Sequence, residues 1–199
     1  MSRAAMGRGK RFGGDAVSLS LAYLLAHGRW GRRRLARQTG LSEMAVRLAL
    51  ERLRAQGLVE LSPRGAGLTP EGRHRFLPVT SRVRGVCPLR LSSLIRAPVA
   101  VGALVDASPS RPPWWYRDLA VREGAEELLL LSFRSGELRF PQTLEPVGAK
   151  NPEDAARLYR AFSRIQEGEV VVAVGASTSM AASRGLWRVI GALLSPLES

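Results

Sequence analysis

The segment from Trp30 to Gly72 constrains this chain more than any other, because it sets out two short helices, a hairpin and the start of a further helix with a start or stop signal at each junction. Arg32 to Gln38 reads as a helix with Leu35 and Ala36 turned inward, and Gly40 follows where a helix end favours a residue that tolerates positive φ. Ser42 then supplies an N-cap hydroxyl for a second helix running to Gln56. Leu41, Val46, Leu50 and Leu53 form its apolar stripe, and Gly57 is its stop. Leu58 to Leu61 alternates like a strand, Pro63 to Gly67 has turn chemistry, and Leu68-Thr69 begins the return. Thr69-Pro70-Glu71 opens the next helix with a capping hydroxyl, a proline at the first helical position and an acid at the positive end of the dipole. Pro78 is expected to end that helix.

This order of elements resembles the winged helix-turn-helix domains of bacterial and archaeal transcription regulators, with Leu41 to Gly72 carrying the likeness. The resemblance implies duplex DNA as the partner and the helix after Ser42 as the one that enters the major groove. With the apolar stripe committed to the core, the early outward positions beside Ser42 are Glu43, Met44, Ala45, Arg47 and Leu48. An arginine fork at Arg47 can span guanine O6 and N7, Glu43 can accept from cytosine, and Met44, Ala45 and Leu48 can meet thymine methyls. Arg64, flanked by Gly65 and Gly67 at the hairpin tip, is placed for a minor groove or the backbone. The alternative for each arginine is a solvated face, and for Leu48 a packing role.

Charge points the same way. The chain of 199 residues carries a net charge of +13, and residues 1–77 hold 15 basic against 5 acidic side chains, leaving only a small excess for the rest. Arg3, Arg8, Lys10 and Arg11 form a Gly-rich basic arm over residues 1–14, and Arg29, Arg32, Arg33, Arg34 and Arg37 crowd the approach to the first motif helix. Such a concentration of positive charge suits phosphates.

The apolar run Ala16 to Ala26 after basic residues imitates a secretion signal. Asp15 is nonetheless a good N-cap, and Val17, Leu21, Leu24 and Leu25 recur at helical spacing, as the first helix of such a domain requires. Serines interrupt the run, and no stretch reaches the ~20 apolar residues that span a bilayer. A single cysteine, Cys87, fits a reducing cytoplasm and no intrachain disulfide.

A second domain is expected over residues 78–199, after the winged domain of residues 15–77. It reads as strands at Val83–Pro88 and Pro98–Asp106, a loop, and a helix at Trp114–Glu123. A hairpin of Glu127–Phe133 and Glu137–Phe140 turns at Ser135-Gly136, followed by a helix from Asn151 or Pro152 to about Ile165. Glu169–Val174 is a β-branched strand, and Ser179–Leu194 is the closing helix. The fold class is α+β: an N-terminal winged helix-turn-helix followed by a mixed α+β domain. Arg117, Asp118, Ala120, Gly124, Ala125, Gly136, Phe140 and Pro141 resemble the C-terminal domain of uncharacterised archaeal winged-helix proteins. Those are similar in fold to the insertion domain of bacterial aspartyl-tRNA synthetases and to part of an amidotransferase subunit. The resemblance implies architecture and no chemistry.

Two places in this half invite a ligand. Arg117 can clamp a carboxylate or phosphate, or can pair with Asp118 to order the junction at Gly124-Ala125. The turn Gly175-Ala176-Ser177-Thr178-Ser179 presents a helix N-terminus to an anion, or is simply capped by Ser177 or Thr178. Together they suggest a pocket for a small anionic effector. The aromatic run Trp114-Trp115-Tyr116 fits a pocket wall or a dimer seam. Enzyme chemistry finds no support: the histidines, His27 and His74, lie in the basic half, no metal or cofactor motif occurs, and the acid pairs Glu126-Glu127 and Glu153-Asp154 read as a solvated edge and a dipole complement. The chain is expected to be a soluble homodimeric DNA-binding regulator, not an enzyme. Competing readings are an RNA-associated or enzymatic factor that docks through the winged domain, or a winged domain used for protein contacts.

Overall fold

The computed structural model describes residues 15–195, so the expected basic arm lies outside the described residues. The chain opens with α1 (Ala16–Ala26), whose first turn is closed by the Asp15 carboxylate accepting from Ser18 N at 2.9 Å. After it come α2 (Arg32–Thr39) and α3 (Glu43–Ala55), then a hairpin of β1 (Val59–Ser62) and β2 (Gly65–Leu68), then α4 (Pro70–Thr80). Gly40, with φ of 69°, makes the turn between α2 and α3, and Ser42 caps α3 by accepting from Ala45 N. Trp30 joins the hairpin as a third short rung, exchanging both backbone hydrogen bonds with Ala66 at 3.0 Å.

The return strand begins at Gly65, earlier than the sequence suggests, because the turn is only Pro63-Arg64 and the glycines let the strand lie close to the segment before α2, where a Cβ on Gly65 would come within 2.7 Å of the Trp30 backbone and one on Gly67 within 3.2 Å of Arg29. Pro78 also fails to end α4. A proline removes one rung of the helical ladder, and here it does so in the last turn, where Thr80 and Ser81 hydroxyls donate back to the Phe76 and Leu77 carbonyls. The chain leaves the helix only after Thr80.

The remaining elements are β3 (Val83–Leu89), β4 (Val99–Val105), α5 (Pro113–Val121), β5 (Glu127–Arg134), β6 (Glu137–Arg139), α6 (Val147–Lys150), α7 (Pro152–Ala161), β7 (Val170–Ala176) and α8 (Ser179–Leu194). The strands form one antiparallel sheet in the order β3-β4-β7-β5-β6. The Val-rich β7 is central and buried along its whole length, which is why its sequence runs apolar instead of alternating. Val170, Val172 and Val174 pack with α5 and α8 on one face; Val171 and Ala173 pack with α6 and α7 on the other. The helix expected to reach Ile165 ends at Ala161, and the short α6 escapes the sequence patterns because four residues carry no periodicity.

One apolar core runs through both halves of the molecule. α8 lies between the sheet and α1, and it is buried on nearly every side, from Ala182 to Leu194. Tyr23 of α1 meets Trp187 with ring centroids 5.3 Å apart, and Gly191 leaves room for Leu19. At the other end of α8, Ser179 touches the α2–α3 turn, where a side chain on Gly40 would lie 2.9 Å from its backbone. The helix-turn-helix is thus seated on the helix that backs the sheet.

Candidate nucleic-acid interface

α3 presents an outward face because its inward residues, Val46, Ala49, Leu50 and Leu53, are buried against α1, α2 and β1. Exposed on that face are Glu43, Met44, Arg47, Leu48 and Glu51, with Met44 at 59% and Leu48 at 55% accessibility. Ala45 is half-buried, and Ser42, though exposed, is engaged as the cap. The apolar atoms of Met44 and Leu48 are of the kind that meets thymine methyls.

Between α3 and the hairpin lies a cleft of about 440 Å³ lined by Arg32, Arg47, Glu51, Leu61, Pro63 and Arg64. Three arginines from three separate elements converge there: one from the start of α2, one from the middle of α3 and one from the hairpin turn. The positive end of α2 adds to the field, since Gly31 caps it without any side chain on the free N–H groups. Such a concave, positively charged wall is shaped for a phosphate backbone.

The arginines are not equally committed. Arg47 is held by Glu51 at 3.0 Å and Arg33 faces Glu43 at 3.7 Å. Both pairs are solvent-exposed and weak enough to exchange partners when a stronger anion arrives. Arg34 stacks over the Trp30 ring at 3.9 Å, which fixes it beside the hairpin. Arg64 is exposed at the tip. Arg29 works from below: its guanidinium pairs with Glu60 and donates to Ser62 Oγ at 3.2 Å and to the Gly65 carbonyl at 3.4 Å, tying the two hairpin strands to the segment before α2. Charge alone placed Arg29 among phosphate contacts, whereas its geometry makes it the brace of the hairpin. Glu51 and Leu61 were not singled out from sequence. The spacing of four residues from Arg47 to Glu51 on one helix was the available signal.

The C-terminal candidates are arranged differently from the sequence expectation. Thr178 is the cap of α8, accepting from Ala181 N at 3.2 Å, and Ser177 and Ser179 are exposed beside it. Gly175 and Ala176 are buried at the end of β7, where Ile95, Ala97 and Glu127 crowd Gly175. Arg117 is exposed on α5. The contacts of α5 with α8 run from Gly124 against Ala181 to Ala120 against Gly185, so Arg117 sits further along α8, away from its N-terminus. The structure does not bring Arg117 and the turn together. Nor does Arg117 pair with Asp118; the junction is held by Glu123 accepting from Arg184 Nε at 2.9 Å.

Two acids depart from their sequence reading. Asp154 stands in the first turn of α7, as a dipole complement does, but it does more: it is fully buried and accepts from the backbone N–H groups of Ser92, Ser93 and Leu94, with Arg157 at 2.8 Å. Burial opposes its ionisation, but those donors prevail and hold its carboxyl well below the usual carboxylate range. Glu127 likewise accepts from Arg96 and Ala97 N–H groups. Both carboxylates pin the loop between β3 and β4. Cys87 is half-buried, and burial pushes its thiol up, away from the thiolate that nucleophilic work needs. Among the described residues no cluster of His, Cys, Asp or Glu can hold a metal ion, and no helix is long and apolar enough to cross a membrane.

Residues 21–81 match the model of the CggR N-terminal DNA-binding domain, and residues 115–193 match a domain of unknown function, DUF4443. The first match takes in α2, α3, the hairpin and α4, and marks the N-terminal part as transcription-regulator-like. The chain shares its fold with hypothetical protein PH0730 from Pyrococcus horikoshii OT3, at a TM-score of 0.70 and 21% identity, over 89% of this chain and 91% of that one. No curated protein matches the chain.

Proposed function

We propose that this protein is a sequence-specific regulator that binds duplex DNA through α3 and the hairpin, acts as a homodimer in the cytoplasm, and performs no catalysis. The observation that carries the reading is the cleft of Arg32, Arg47 and Arg64 within the very segment that matches a DNA-binding domain. Arg32 and Arg64 grip the same phosphate backbone beside α3, while α3 sets Arg47, Met44 and Leu48 against base edges. Sequence selectivity then comes from a mostly apolar face, with thymine methyls as its natural contacts. The C-terminal half, with its continuous core into α1, holds two such reading heads at a set distance.

The test is duplex binding by the full chain, using fragments selected from genomic DNA of the source organism. With roughly 6 phosphates neutralised, log affinity falls against log salt with a slope of about −5. Arg47→Ala weakens the selected duplex by about 1–3 kcal/mol and random duplex little, whereas Arg64→Ala weakens both. A flat salt response, or tighter binding to structured RNA than to any duplex, overturns the reading.

A further inference from the structure

The outer face of α5 carries a pattern that nothing in DNA binding uses. Tyr116 and Ala120 turn inward and are 0% and 1% accessible, while Trp114 and Val121 stand out at 61% and 45%. Trp114, Arg117, Asp118 and Val121 follow the i, i+3, i+4, i+7 spacing of a single helical stripe, opposite the buried pair. Arg117 and Asp118 are both exposed and take no ion-pair partner among the described residues, although neighbouring charges do, Glu123 with Arg184 and Arg82 with Asp106.

We infer that this stripe is the seam on which a second copy of the chain docks, α5 against α5 about a two-fold axis. It is this geometry that underlies the dimer of the functional reading above. The stripe is self-complementary. A two-fold axis crossing the helix midway between Arg117 and Asp118 runs the partner helix antiparallel. It sets each Arg117 against the other copy's Asp118 and each Trp114 against the other copy's Val121. Both charge pairs and both apolar pairs are satisfied by the same operation, as an isologous contact demands. A stripe with one positive and one negative charge at its centre offers nothing to a nucleic acid, in contrast to the arginine-lined cleft of α3. Pro112-Pro113 set the start of α5 rigidly, so Trp114 is presented without much loss of chain freedom. A helix of nine residues is only about 13 Å long, so the contact is smaller than a standard interface. It holds a weak dimer in solution, which neighbouring half-sites on DNA then reinforce by raising the local concentration.

Sedimentation velocity on the full chain without DNA, from low to high micromolar concentration, tests this directly. Wild type shows a concentration-dependent dimer. Asp118→Arg and Arg117→Asp each weaken dimerisation at least about tenfold, because like charges now meet at the axis, and Trp114→Ala does so by removing the apolar anchor. The double exchange R117D/D118R restores the opposite-charge pairs across the axis and returns the dissociation constant to within about threefold of wild type. All these positions are exposed, and unchanged melting temperatures confirm the folded state of each variant. A chain that stays monomeric throughout, a dimer indifferent to the single substitutions, or a folded double exchange that fails to restore pairing overturns the inference. Failure of the wild type to bind duplex would overturn the regulator reading and leave this measurement untouched, since no DNA is present.

Discussion

Gly40 and Gly57 offer a matched pair of perturbations that reads the contact between the helix-turn-helix and α8. Each ends a helix in the left-handed region, with φ of 69° and 72°. A Cβ at Gly57 would meet nothing within 4 Å, whereas at Gly40 it would lie 2.9 Å from both the carbonyl carbon and the Cβ of Ser179. Alanine at either position incurs the left-handed backbone cost of about 1–2 kcal/mol. At Gly40 it also forces apart two well-packed backbone segments, for which about 1–3 kcal/mol is the usual cost of overpacking. Gly57→Ala is therefore expected to cost about 1–2 kcal/mol and Gly40→Ala about 2–5 kcal/mol, and the lower entropy of the unfolded chain offsets both equally. In a chain of this size each kcal/mol moves the melting temperature by about 2–4 °C. Differential scanning calorimetry and denaturant titration of the two full-length variants give the difference, which belongs to the Ser179 contact alone. Equal destabilisation in both variants would show that the turn does not rest on the start of α8, and would remove the rigid coupling between the two halves.

Asp154→Asn keeps the size of the side chain but strips the charge and presents an amide N–H₂ to backbone donors; a loss of about 3–5 kcal/mol is expected in denaturant titration. Because the folded carboxyl titrates below its ordinary value of 3.8, its stabilisation is complete above that pH and is lost as pH falls below it, so the gap between wild type and variant narrows in acid. A gap independent of pH would mean that the carboxylate charge contributes nothing. Arg29→Ala frees the hairpin from its brace: duplex affinity is expected to fall about 3- to 10-fold, while stability changes by less than about 1 kcal/mol, since this arginine is 39% exposed. Fluorescence anisotropy beside a thermal melt separates the two effects, and unchanged affinity would show that the hairpin is held without Arg29.

Much of this protein was legible in the sequence wherever the controlling interaction spans only a few residues. Asp15, Ser42 and Thr69 each cap the helix that begins beside them, bonding an N–H three residues away. Gly40 and Gly57 stop their helices through their own φ, and Ser135-Gly136 turns the hairpin of β5 and β6 through two adjacent positive φ values. The continuous apolar run of β7 announced a buried strand, and the structure buries it on both faces. Such signals also placed the exposed face of α3, because helical periodicity follows from the backbone alone. Tertiary structure decided what depends on residues far apart in the chain. Asp154 finds its donors about sixty residues upstream, Arg29 its carboxylate thirty-one residues away, and Gly40 its neighbour in α8. The separation of Arg117 from the turn at Ser177 is of the same kind, since it depends on how α5 is laid against α8. Local patterns report which face of a helix is apolar, but not which surface it covers, because many surfaces bury the same area equally well and only the closed core selects among them.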